Sequence, residues 1–457
     1  MRRFLYALIL SVMPIPALAT EWRDEIIYFV MLDRFADGDT SNNQGVDIDD
    51  PLAFHGGDLK GLAANLPEIA DLGATAVWLT PIVEQVNPVP NEHGLFHGHH
   101  GYWANSFTRI DPRYGSEDDL RLLVERAHEL GMKVILDVVY NHVGYDADWT
   151  KTRPEWLRQG DECGGNAETL CLAGLPDLRT ERDDVRQYLF DAHIGLAERT
   201  GLDGFRLDTV KHISHDFWQE HHRVVRERLG PDFLLLGEVW GADKYLAEPY
   251  FASDELDAIT DFAFREQTLK FLNGVSDASR FGRYLAKRHN VAEGKLLAPF
   301  LSNHDMPMLL AMLRGDVRKL NIAATLLFTL EGLPIVTWGE EVGRRGGIWP
   351  DNRQDMVWDD RRDEVLRQSF QNLIALRKAT PSLNGSEIEI LHAEGRALAF
   401  TRGPEALVLI NAHSDPWTFE SDVYNSSDWE IAYRSHGENQ GLHLLPVSTT
   451  VLIKTRS

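Results

Sequence analysis

Cysteine is nearly absent from this chain: its 457 residues include two, Cys163 and Cys171. No multi-bridge framework can therefore carry the fold. Basic charge is also scarce, with 46 Lys and Arg against 70 Asp and Glu and a formal net charge of −24. Binding a phosphate backbone needs a basic patch and none stands out, which argues against nucleic acid as a partner and for a neutral substrate. Long apolar runs are missing, apart from Phe4 to about Ile15. That run is shorter than the roughly 20 residues that span a bilayer, which argues against a membrane anchor. Placed between Met1-Arg2-Arg3 and Ala17-Leu18-Ala19, it reads as the core of a secretory signal peptide, residues 1–19. The expected destination is the periplasm or the medium. In an exported protein the two cysteines, which share one Gly-rich loop region, are expected to pair locally.

What is present is an ordinary globular composition, 43% hydrophobic and 25% charged, long enough for one large domain with appendages. From Leu59 to Leu72 the apolar spacing suits a helix that Gly73 ends, and Ala74 to Leu79 then reads as a buried strand. The alternation recurs in helices near Ser116–Leu130 and Asp183–Thr200 and in strands near Met132–Val139, Gly204–Asp208, Phe233–Glu238, Leu296–Leu301 and Pro334–Trp338. About eight such units predict a parallel (β/α)8 barrel over residues 20–140 and 181–379. Residues 141–180 are too long for a simple connection and predict a small inserted domain. From about 380 to 457 the pattern turns to period two, as in Ala406–Ile410 and Thr449–Ile453, and predicts a C-terminal antiparallel β-sandwich domain.

Function in such a barrel collects at the carboxyl ends of the strands. Asp208, Glu238 and Asp305 fall there, with Asp137, His142 and His304 beside them. Acids converging on one rim repel each other, so their convergence points to use. Arg206, two residues before Asp208 on an extended backbone, shares its face and is expected to lower its pKa. Glu238, leaving a hydrophobic strand next to Asp208, is expected to be raised and to act as a proton donor; one ionised and one protonated carboxyl is the arrangement that cleaves glycosidic bonds. A separate turn, Asp37-Gly38-Asp39-Thr40-Ser41-Asn42-Asn43, packs oxygen-bearing side chains together, with Asp58 following Gly56-Gly57. It reads as either a plain Asx-rich turn or part of a calcium site. The histidines His93, His97, His99 and His100 read as a substrate-side loop in preference to a zinc site.

Five motifs in order resemble the alpha-amylase family of glycoside hydrolases: Asp137-Val138-Val139-Tyr140-Asn141-His142, Leu175-Pro176-Asp177, Gly204 to His212, Gly237-Glu238-Val239-Trp240, and Phe300-Leu301-Ser302-Asn303-His304-Asp305. The resemblance implies Asp208 as nucleophile, Glu238 as acid/base and Asp305 as the acid that supports the transition state. It places Tyr102, His100, His142, Arg206, Lys211, His212, His304 and Asp137 around the substrate. It implies calcium held by Asn141, Asp177 and the His212 carbonyl, and a second calcium at Asp37, Asp39, Asn42, Asn43, Gly56 and Asp58. The implied activity is retaining hydrolysis of internal α-1,4-glucosidic bonds in starch, glycogen or maltodextrin by an exported monomer, with cyclodextrin- or oligosaccharide-forming α-1,4-glucan transglycosylation as the alternative reading and, ranked below it, a non-catalytic glucan-binding member of the fold. Ser106, where relatives often have Asp, and Thr337-Trp338-Gly339-Glu340, in place of Tyr-Tyr-Gly-Asp, depart from the family pattern away from the three acids.

Overall fold

Short apolar runs that end in charge become the strands of a parallel barrel in a computed structural model of the chain, which describes residues 22–92, 94–241, 244–288, 291–421, 424 and 428–455. The expected signal peptide and His93 lie outside the described residues. Among those described, no helix is long and apolar enough to cross a membrane.

The barrel strands are β1 (Ile27–Val30), β2 (Ala76–Leu79), β3 (Lys133–Val138), β4 (Gly204–Leu207), β5 (Leu234–Gly237), β6 (Ala258–Asp261), β7 (Leu296–Pro299) and β8 (Ile335–Thr337). They pair in parallel in the order β7-β6-β5-β4-β3-β2-β1-β8, and a parallel bridge between Phe300 and Ile335 brings the two edges together. Most strand residues are buried, because helices cover one face and the barrel interior the other. Local chemistry sets the helix ends. Asp58 caps the helix Leu59–Leu72 by accepting from Gly61 N at 2.6 Å, and Gly73 closes it in the left-handed conformation at φ 100°. Ser116 and Asp119 form a reciprocal capping box on the helix Glu117–Glu129.

Between β3 and the helix Asp183–Thr200 the chain makes a long excursion of short turns, tied by a disulfide between Cys163 and Cys171, the local pairing expected. A two-residue antiparallel ladder pairs Leu157 with Leu178 and Arg158 with Asp177 at its base.

The C-terminal strands β9 (Ile388–Glu394), β10 (Ala397–Arg402), β11 (Ala406–Asn411), β12 (Trp429–Arg434) and β13 (Ser448–Lys454) form an antiparallel sheet in the order β9-β10-β11-β13-β12. Alternation splits the sheet's side chains between two cores. Leu398, Phe400, Val408, Ile410 and Val451 join the core of the barrel, while Ala399, Leu407, Leu409 and Leu452 form a smaller cluster with Phe419 and Leu444. The sheet is thus fused to the barrel through one whole face.

Candidate active site

The site is built on two neighbouring strand ends. Leu207 pairs with Gly237 across β4 and β5, so the next residues, Asp208 and Glu238, emerge side by side. Their backbones are pinned as well: Asp208 N donates to Val138 O at 3.1 Å and Glu238 N to Leu207 O at 2.9 Å. Two residues before Asp208 on β4, Arg206 lies opposite Asp137 of β3.

A single guanidinium joins these acids. Arg206 Nη1 donates to Asp208 Oδ1 at 2.8 Å and to Asp137 Oδ1 and Oδ2 at 3.0 and 3.1 Å, and Nη2 lies 2.9 Å from Glu238 Oε1. Glu238 Oε2 also accepts from Thr209 N at 3.1 Å. All four side chains are buried. Three carboxylates around one cation in such surroundings titrate as a unit and cannot all ionise cheaply. Burial pushes Glu238 up to about 7 against the pull of Arg206, with Asp208 and Asp305 adding repulsion. Burial likewise raises Asp137 to about 8. The expectation that Arg206 sets Asp208 below the ordinary carboxylate range needs correction: burial outweighs the guanidinium and its hydrogen bond, and the net shift is upward. Arg206 moderates that rise without reversing it.

Asp305 behaves differently. A third of its side chain stays open, Arg353 Nη2 bonds Oδ1 at 3.0 Å and His304 Nε2 lies 3.2 Å from Oδ2. Burial opposes its ionisation, but His304, Arg353 and Arg206 together outweigh burial and hold the carboxyl below its usual range. Since burial drives His304 down to about 3, Arg353 carries the fixed charge of that contact. Arg353 escaped the sequence reading. Its signal was its place in the long connection after β8, on the rim where function collects.

Above the acids lies a cleft of 580 Å³ lined by Asp208, Glu238 and Asp305, with Phe96, Trp240 and Trp349 among its apolar walls. Tyr102, His100, His142, His304, Lys211 and His212 also line it, whereas Asp137 and Arg206 sit behind it. They reach the cleft through Asp208, Glu238 and Tyr102, whose Oη donates to Asp137 Oδ2 at 2.8 Å. The Tyr102 ring lies parallel to His304, centroids 5.2 Å apart, with His100 on its other neighbour contact at 5.7 Å. His142 Nε2 is 3.2 Å from Tyr102 O, and burial drives His142 to about 4. Neutral imidazoles of this kind can bond hydroxyl groups without bringing charge. Lys211 Nζ donates to Trp240 O at 3.3 Å, across the cleft edge.

The two expected calcium positions differ in fit. In the loop after β1, Asn43 Nδ2 donates to Asp37 Oδ2 at 2.6 Å and Asn42 Nδ2 to Asp58 Oδ2 at 3.2 Å, which leaves Asn42 Oδ1 and Asn43 Oδ1 buried without partners. A Cβ on Gly56, at φ 94°, would fall 3.0 Å from Asn43 Oδ1 and 3.3 Å from Asp37 Oδ2. Orphaned oxygens around a hollow that only glycine leaves open suit a hard cation. Asp39 is turned toward Lys60 and Ser41. At the second position Asp177 is ion-paired with Arg158, and His212 contacts Ala167 O through Nδ1 at 2.9 Å. Asn141 Oδ1 is buried there without a partner, an oxygen open to a cation, while the one carboxylate of the set is shared with a guanidinium. Among the described residues no group of three or more His, Cys, Asp or Glu side chains gathers as a metal centre. His99 is instead buried with Nδ1 3.3 Å from Leu52 O, and His97 packs edge-on against Phe54.

Comparison with known proteins matches residues 29–159 and 169–378 to the alpha-amylase catalytic domain. A cyclomaltodextrinase from a Bacillus species is 33% identical over 410 residues, covering 83% of this chain and 70% of the relative. Among solved structures, an Anoxybacillus alpha-amylase superposes with a TM-score of 0.84 at 31% identity, over 96% of this chain and 99% of that one. A cyclomaltodextrin glucanotransferase with a three-domain organisation gives 0.83 at 25% identity, over 95% and 99%. With its eight-stranded barrel, its C-terminal antiparallel sheet and these matches, the chain belongs to the alpha-amylase family of glycoside hydrolases.

Proposed function

We propose that the protein cleaves α-1,4-glucosidic bonds in cyclic and short linear maltodextrins with retention of configuration, passing part of the glycosyl product to sugar acceptors as well as to water. The observation that carries the chemistry is the shared guanidinium of Arg206, which holds an elevated Glu238 beside Asp208 at the floor of the cleft. Protonated Glu238 gives its proton to the glycosidic oxygen while an Asp208 oxygen bonds the anomeric carbon and the bond to the leaving sugar breaks. Glu238, now ionised, takes a proton from water or from an acceptor hydroxyl, whose oxygen displaces Asp208 and restores both carboxyls. Asp305 accepts hydrogen bonds from sugar hydroxyls as the ring flattens. Tyr102, which lines the cleft beside His304 and His100, offers its ring to the sugar.

The substrate class rests on the relatives. They include cyclomaltodextrinases, a maltogenic alpha-amylase and, among solved structures, a cyclomaltodextrin glucanotransferase. These favour the hydrolase and transglycosylase alternative over an endo-amylase of starch. Calcium held by Asp37, Asn42, Asn43 and Asp58 would supply a structural cross-link between the loop after β1 and the start of the helix Leu59–Leu72. Export from the reducing cytosol is supported by the Cys163–Cys171 bridge.

Initial rates on β-cyclodextrin, maltoheptaose and soluble starch, with products resolved by chain length, test the reading. We expect β-cyclodextrin and maltoheptaose to be consumed faster than starch, with some products longer than the substrate. Fastest turnover of starch, with internal cuts and no lengthened products, would return the protein to the endo-amylases.

A further inference from the structure

We propose that Glu340 is a positioning residue for Asp305 that acts through the hydroxyl of Ser302, given the transition-state role proposed for Asp305. The stretch Thr337-Trp338-Gly339-Glu340, which departs from the family pattern, lies away from the three acids in sequence. The fold brings its last residue against the base of the loop that carries Asp305. Ser302 Oγ donates to Glu340 Oε1 at 2.5 Å and accepts from Leu309 N at 2.8 Å. The direction of both bonds is forced. A backbone amide nitrogen only donates, so the hydroxyl oxygen receives Leu309 N–H and its single hydrogen goes to the carboxyl. Burial raises Glu340 to about 7. In either protonation state Oε1 can accept, because Oε2, buried without a partner, can carry the proton. Glu340, Ser302 and Leu309 are all buried, so losing one partner leaves the others unsatisfied.

The Ser302–Leu309 bond closes the loop that carries His304 and Asp305 between β7 and the short helix Leu309–Met312. Thr337 Oγ1, at the end of β8, donates to Ser302 O, and Glu340 N donates to Thr337 O at 2.9 Å. Glu340 is thus fixed to the strand it follows. Higher on the loop, Asn352 Nδ2 and Arg353 Nε donate to His304 O at 2.8 and 2.9 Å, and Arg353 Nη2 bonds Asp305 Oδ1. The loop is held at its base by Glu340 and at its tip by Arg353. The base contact needs a glutamate arm: one methylene less would draw the carboxyl back by about 1.5 Å and break the bond to Ser302.

Hydrogen exchange followed by mass spectrometry, together with steady-state kinetics, tests this on the full chain. Glu340→Ala, Glu340→Asp and Ser302→Ala should each speed exchange in peptides spanning residues 302–309 about tenfold. Each should lower kcat on β-cyclodextrin about tenfold, with KM within about twofold of the wild type. Glu340→Gln, whose amide oxygen still accepts from Ser302, should bring both readouts back near the wild type. The double variant Glu340→Ala with Ser302→Ala should lose no more than the worse single one, because the two side chains make one contact. Ser302→Ala serves if Glu340→Ala does not fold. Wild-type exchange and kcat in Ser302→Ala, additive losses in the double variant, or a Glu340→Gln variant as impaired as Glu340→Ala would overturn the proposal. An unimpaired Asp305→Asn would instead overturn the role of Asp305, with exchange still deciding whether Glu340 anchors the loop.

Discussion

Two arginines in this molecule each gather carboxylates, and only one of the groups faces a cleft. Arg206 holds Asp137, Asp208 and Glu238, three acids on one cation, with a cavity opening above two of them. Arg158 holds Asp177 and Glu181, one buried and one half in solvent, inside a ladder. The first group is overloaded with negative charge and so retains a proton near neutrality. The second also holds a raised acid, Asp177 at about 7 through burial, but it does not line the cleft, and it fastens chain to chain. Access is what separates chemistry from structure in two clusters of the same residue types.

Removing members of the overloaded group tests that contrast most severely. Asp208→Asn and Glu238→Gln should each lower kcat by about 10³-fold or more with the fold retained, checked by turnover of β-cyclodextrin and by circular dichroism. Asp305→Asn should cost about 10²–10³-fold, mainly in kcat, because its hydrogen bonds strengthen as charge develops on the sugar. Comparable losses from an Arg158 variant that remains folded and docked would erase the distinction between the clusters.

The pH response sharpens it. Glu238 must be protonated for the first step, so kcat/KM should fall as pH rises through about 7, the value to which burial pushes this group. The alkaline limb should vanish in Glu238→Gln, along with most of the rate. Stability follows the same linkage. A carboxyl raised in the folded state contributes stability below its ordinary value and loses it as pH climbs through the raised one. Glu238→Gln should therefore melt a few degrees higher than the wild type above pH 7, and an unchanged midpoint would mean that Glu238 carries no burial penalty. The smallest expected effect is that of Tyr102→Phe, which removes one bond to Asp137 and should lower kcat about tenfold or less.

Much of this was legible in the chain. The barrel strands announce themselves as apolar runs closed by charge, and Asp208, Glu238 and Asp305 are the residues that close three such runs or follow them on the rim. The C-terminal sheet shows its two faces in period-two spacing because each face meets a different core. Three features were not readable. The net upward shift of Asp208 depends on burial by elements distant in sequence, which a strand-end motif does not report. Arg353 meets Asp305 from a loop with no periodicity, 48 residues further along the chain. Arg158 and Asp177 meet through a two-residue ladder too short to leave a pattern, so their ion pair could not be read from the chain.

The division of labour between Asp208 and Glu238 has a direct chemical test. α-Maltosyl fluoride has a leaving group that departs without a proton, so Glu238→Gln should still transfer the maltosyl unit to the protein but release it slowly for want of a base. Intact-mass and peptide mass spectrometry of that variant should show one maltosyl adduct, carried on Asp208. An adduct on another residue, or rapid turnover with no adduct and release of the inverted sugar, would contradict the account.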